Sequence, residues 1–105
     1  MADLFTVETA ARMLLRAAPG SKVILFGSHA RGTPDRDSDL DFLVIEPQVK
    51  DRHGETVRLR QVLRPLRIPV DMLVVSAKVF EEWRDTPNTV IHEAAREGKV
   101  YDEVA

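Results

Sequence analysis

The chain has 105 residues, enough for one domain around one core. With 44% hydrophobic and 30% charged residues it has the make-up of an ordinary soluble globular protein, and its lack of cysteine excludes disulfides, thiolate metal sites and a cysteine nucleophile. A formal net charge of −2 argues against bulk nucleic-acid binding, and the longest apolar runs, Phe42 to Ile45 and Met72 to Val75, fall far short of the ~18 residues that cross a bilayer.

The N-terminal Met1-Ala-Asp-Leu-Phe has neither the basic stretch nor the apolar run of a signal peptide, so a cytoplasmic protein without membrane association is expected. Val7, Ala10, Ala11, Leu14, Leu15 and Ala18 recur at helical spacing and predict an amphipathic helix over residues 6 to 18, stopped by Pro19-Gly20. Lys22 to Phe26 reads as a short buried strand ending at Gly27. The glycine-bracketed Gly27-Ser28-His29-Ala30-Arg31-Gly32 suits a turn into a short helix.

Leu40 to Ile45 predicts a second strand, closed by Pro47. Leu59, Val62, Leu63 and Leu66 share one face of a helix over 55 to 66. Ile68 to Val75 predicts a third strand, with Pro69 at its start or on an edge. Ser76 is positioned to cap a helix over 77 to 84, and Thr86-Pro87 reads as an N-cap and first helical residue of a helix ending at Gly98. The order is helix, strand, strand, helix, strand, helix, helix. The expected fold class is α/β, a small mixed β-sheet flanked by helices, in a single domain over 1–105.

The aspartates carry the chemistry. Asp39 and Asp41 are two apart at the start of a strand, so their carboxylates project from one side of the sheet. Asp71 interrupts the third apolar strand, where aspartate is disfavoured. If those strands are neighbours, three carboxylates converge and repel one another unless a cation compensates them. Oxygen-only ligands select a hard ion such as Mg²⁺, and the chemistry implied is metal-assisted phosphoryl or nucleotidyl transfer. Gly27-Ser28, after a strand and before a helix start, offers backbone N–H groups to a phosphate, with the Ser28 hydroxyl as a further donor. Arg31 adds a planar cationic fork for phosphate, and Ser38 could orient the carboxylates or bond a phosphate oxygen.

Gly27-Ser28, ten residues, then Asp39-Leu40-Asp41 resembles the signature of the DNA polymerase beta-like nucleotidyltransferase superfamily. The string from Gly27 to Val44 is similar in particular to its minimal nucleotidyltransferase (MNT) branch, and the resemblance covers nearly the whole chain. It implies the nucleotidyltransferase (polymerase beta-like) fold, with Asp39 and Asp41 as the paired ligands of two Mg²⁺ ions. It also implies that Asp71 is the third carboxylate, helping to deprotonate the attacking hydroxyl, and that Gly27 and Ser28 hold the triphosphate. Members of this kind pair with a helical HEPN-type toxin and transfer AMP from ATP to its tyrosine, acting as antitoxin. Two alternatives stay open: an antitoxin that neutralises by binding alone, and a nucleotidyltransferase acting on a small molecule or an RNA end. A homo-oligomer is also compatible with the sequence.

Other features carry less. His29 adjoins the phosphate turn, whereas His53 and His92 lack metal-ligand spacing and read as surface residues. Arg52, Arg58, Arg60, Arg64 and Arg67 form a basic stretch around the central helix, read first as a solvated face and second as a steering surface for an acidic partner or nucleotide. Phe80 and Trp83, three apart, read as core packing. Tyr101 is a remote candidate for self-modification.

Overall fold

The computed structural model describes residues 4–27, 30 and 39–102. Four strands form one sheet in the order β3-β2-β1-β4, where β1 is Lys22–Phe26, β2 Leu40–Glu46, β3 Val70–Ser76 and β4 Lys99–Asp102. β1 runs antiparallel to both neighbours, and β2 and β3 are parallel. A parallel pair needs a crossover longer than a hairpin. Here α2 (Arg52–Leu63) and a 3₁₀ turn (Arg64–Leu66) supply it. The other helices among the described elements are α1 (Leu4–Ala17), α3 (Ala77–Trp83) and α4 (Val90–Glu97). The α/β class with a mixed sheet is as the sequence predicts.

Alternation along β2 divides the core. Leu40, Phe42 and Val44 point to the face covered by α1 and α2, where they pack with Ala10, Leu14 and Leu59. Leu43 and Ile45 point to the other face, against Phe80 of α3 and Ala94 of α4. β2 is therefore apolar on both faces, as a central strand should be.

The boundaries depart from the sequence reading where capping decides them. α2 begins three residues earlier than predicted because Asp51 caps it, its carboxylate accepting from the Gly54 N–H (3.1 Å). It ends before Pro65, which has no N–H to continue the ladder, and the chain tightens into the 3₁₀ turn. β3 starts after Pro69, whose carbonyl accepts from the Leu40 N–H (3.0 Å). Ser76 caps α3 as predicted, accepting from the Val79 N–H (3.2 Å). Thr86-Pro87 does not start α4. Thr89 does, accepting from the His92 N–H (3.1 Å) while donating to the Thr86 carbonyl (2.8 Å). The left-handed Asn88 (φ 68°) breaks the chain between the two threonines.

The sequence reading missed β4. Its four residues, Lys-Val-Tyr-Asp, carry no alternating pattern and follow a helix directly. Gly98 makes that junction possible: a Cβ there would collide with Ile24 Cγ2 and the Ala94 carbonyl.

Candidate active site

Three strand ends meet at one edge of the sheet. β1 runs antiparallel to β2, so it finishes where β2 begins, and parallel β3 begins there too. Phe26 pairs with Asp41, and Asp41 pairs with Asp71. Residues opposed in a parallel ladder send their side chains to the same face, so the Asp41 and Asp71 carboxylates are neighbours by register alone. Asp39 immediately precedes β2 and is exposed, Asp41 is half-buried and Asp71 is exposed. All three lie on the solvent-accessible rim, beyond Leu43 and Leu73 of the apolar face.

Gly27 closes β1 and is buried beneath this cluster. Its φ of 78° lies in the left-handed region that glycine adopts without penalty. A Cβ at Gly27 would run into Asp41 Oδ2. Glycine is thus required twice, by the turn and by the space that the Asp41 carboxylate fills. Ser28, Arg31 and Ser38, the predicted phosphate and carboxylate contacts, lie outside the described residues, as does His29.

Arg60 of α2, which the sequence places only within a basic stretch around the central helix, has its Nη2 3.7 Å from Asp71 Oδ1. Both side chains are more than half exposed, so the pair contributes at most about 1 kcal/mol. The signal in the sequence was that α2 leads through a short turn straight to the strand bearing Asp71. Among the described residues no three acidic or imidazole side chains already stand close enough to hold an ion.

The donor set nonetheless fits a hard divalent cation. It offers carboxylate oxygens only, with Asp41 and Asp71 on backbone positions fixed by strand register, Asp39 just before β2, and the Asp41 carboxylate seated in the space that the missing Gly27 Cβ leaves. Turning Asp71 from Arg60 toward Asp41 requires only a side-chain rotation of an exposed residue.

A second charged cluster lies at the opposite end of β2. Arg58 forms a bidentate pair with Glu55 (2.7 Å for Nε–Oε1 and for Nη2–Oε2) and donates from Nη1 to the Ala17 carbonyl (2.9 Å). Burial, with the adjacent Glu55 carboxylate, pushes Glu46 up to about 7, and Glu46 Oε2 is buried without a hydrogen bond. Arg58 pulls Glu55 down to about 2. This cluster ties α1 and α2 to the sheet far from the aspartates.

Other side chains fall differently from expectation. His92, read as a surface residue, is half-buried, and its Nδ1 lies 2.8 Å from the Arg84 carbonyl, to which it must donate. Phe80 is buried as expected, but Trp83 is 46% exposed. The Tyr101 hydroxyl is buried, with the Lys99 ammonium over its ring, and is not accessible for self-modification.

The family model for the nucleotidyltransferase domain matches residues 7–100. Among solved structures, the chain is similar to a toxin–antitoxin with AMP-PNP at 24% identity, with a TM-score of 0.65 over 89% of this chain and 70% of that one. It is also similar to a mutant of the toxin–antitoxin MntA-HpeT at 24% identity, with a TM-score of 0.61 over 89% of this chain and 70% of that one. No curated protein matches the chain. No helix among the described residues is long and apolar enough to cross a membrane.

Proposed function

Because the chain belongs to the nucleotidyltransferase domain family, we propose that it is the minimal, MNT-type antitoxin enzyme, moving AMP from ATP to a hydroxyl, that of a tyrosine, on a HEPN-type toxin. The observation that carries this reading is the pairing of Asp41 with Asp71 beside Gly27. Similarity to toxin–antitoxin structures, one of them with AMP-PNP, supports the choice of partner and donor.

In this mechanism Asp39, Asp41 and Asp71 would hold Mg²⁺, two ions in the full site. When bound, the metal supplies charge neutralisation on the triphosphate and on the oxygens that attack and leave. The Gly27 turn lets backbone approach the triphosphate, and Ser28, Arg31 and Ser38 contribute donors to its oxygens. The acceptor hydroxyl, losing its proton toward Asp71, attacks the α-phosphorus. A new phosphodiester bond forms as the bond to the β-phosphate oxygen breaks, and pyrophosphate leaves. Positioning and electrostatic stabilisation supply most of the rate.

The test is neutralisation in cells that co-express the chain with a HEPN-type toxin from its genomic neighbourhood. Wild type should restore growth and increase the toxin's intact mass by AMP units. An Asp39→Ala/Asp41→Ala variant that still binds the toxin should do neither. Full neutralisation by that variant would show that binding alone suffices.

A further inference from the structure

Arg60, Leu63, Arg64, Arg67, Ile68 and Val70 line a groove of about 360 Å³ where α2 gives way to β3. Arg60 and Arg64 are four apart and share one side of the helix path. Arg67 follows the 3₁₀ turn in a left-handed conformation (φ 53°), its N–H donating to the Arg64 carbonyl (3.1 Å). That conformation is one that non-glycine residues seldom adopt. It turns the chain back toward β3 and brings a third guanidinium to the groove.

Three cations so gathered repel one another. Among the described residues no carboxylate forms an ion pair with Arg64 or Arg67, and Arg60 has only its long, exposed contact with Asp71. A chain of net charge −2 thus concentrates positive charge at one place, adjoining the candidate site. The floor is apolar, with Leu63 buried and Ile68 and Val70 half-buried. β3 is an edge strand, so an extended chain could lie along it.

We propose that this groove docks an acidic segment of the acceptor protein, next to the hydroxyl that receives the nucleotide. The assignment rests on the reading of Asp71 as the carboxylate nearest the acceptor. Guanidinium forks match carboxylates in bidentate geometry, and the apolar floor suits the side-chain stems between them. A polypeptide is favoured over nucleic acid because the chain as a whole is anionic and would repel a long polyanion. A carboxylate from the acceptor would also replace Asp71 as the partner of Arg60, leaving Asp71 to turn toward Asp41 as the acceptor arrives.

The experiment measures binding without ATP or metal, by fluorescence anisotropy. Three labelled probes of equal length are used: a Glu-Ser repeat peptide, a Gln-Ser repeat peptide and an oligouridylate RNA. Wild type should prefer the acidic peptide over the neutral one by about tenfold or more, and Arg64→Glu/Arg67→Glu should abolish the preference. Arg64→Gln/Arg67→Gln, a milder change with its melting curve compared to wild type, should weaken it in the same direction. Equal binding of the two peptides, or a preference untouched by both double variants, would overturn the proposal. Tighter, arginine-dependent binding of the RNA would overturn it in favour of a nucleic-acid surface. The same variants should raise KM for the acceptor protein with little change in kcat. Transfer that proceeds with unchanged KM sinks the docking proposal alone, whereas acidic-peptide binding without any AMP transfer sinks the proposed activity and leaves the groove assigned.

Discussion

Asp41 and Asp71 stand opposite each other in the parallel register of β2 and β3, so their carboxylates share one face at the rim of the sheet. Nothing in side-chain packing is needed to bring them together. The ladder does it, held by the apolar pairs behind them, Leu43 with Leu73 and Ile45 with Val75.

Removing charge from this pair should therefore cost activity and spare the fold. Asp41→Asn is expected to lower kcat for AMP transfer by about a thousandfold, with a melting temperature at or above that of wild type. Asp71→Asn should also lower kcat, with little change in the affinity for ATP. Steady-state kinetics with separate titration of ATP and acceptor distinguishes the two.

Gly27→Ala combines two penalties. A left-handed φ costs alanine about 1–2 kcal/mol, and the new methyl group must displace the Asp41 carboxylate. A drop of several degrees in melting temperature is expected, together with a loss of transfer larger than the loss of folded protein explains. Thermal melts and transfer rates at a temperature where both proteins are folded separate the effects.

The Glu46–Glu55 pair gives stability a pH dependence of opposite signs. Glu46, raised from 4.5 to about 7, binds its proton more tightly in the folded chain, so folding loses stability as pH rises across that window. Glu55, lowered from 4.5 to about 2, contributes stability that is complete above 4.5 and is lost as pH falls toward 2. Glu46→Gln should flatten the decline between 4.5 and 7 and melt higher than wild type at pH 8. Melting temperature followed against pH for both proteins checks this, and an unchanged decline in the variant contradicts it.

Helix capping offers a cleaner contrast. Thr89→Ala should cost about 1 kcal/mol by freeing the His92 N–H, whereas Thr86→Ala, which keeps the carbonyl that Thr89 bonds, should cost little. Denaturant unfolding of the two variants decides it.

Much of this was legible in the sequence, for identifiable reasons. Strong periodicity placed α1, and runs of β-branched and apolar residues placed β1, β2 and β3. The pattern of Gly27, Asp39, Asp41 and Asp71 was readable because each residue is out of place for structure alone. Aspartates interrupt strands, and a glycine ends one. What escaped was set by tertiary contact. β4 exists because Gly98 lets the chain close onto β1, which no local pattern of Lys99, Val100, Tyr101 and Asp102 announces. The contact between Arg60 and Asp71 depends on how a 3₁₀ turn folds back, and the choice of Thr89 over Thr86 depends on a left-handed Asn88.

The most direct test of nucleotidyl transfer at the Asp41–Asp71 rim uses ATP labelled at one phosphate at a time. Wild-type chain, Mg²⁺ and the HEPN-type partner are incubated with ATP labelled at the α-phosphate or at the γ-phosphate. Label from the α position should become covalently attached to the partner, label from the γ position should leave as pyrophosphate, and Asp41→Asn should transfer neither. Attachment of γ label, or α labelling that persists at the wild-type rate in Asp41→Asn, would contradict the assignment.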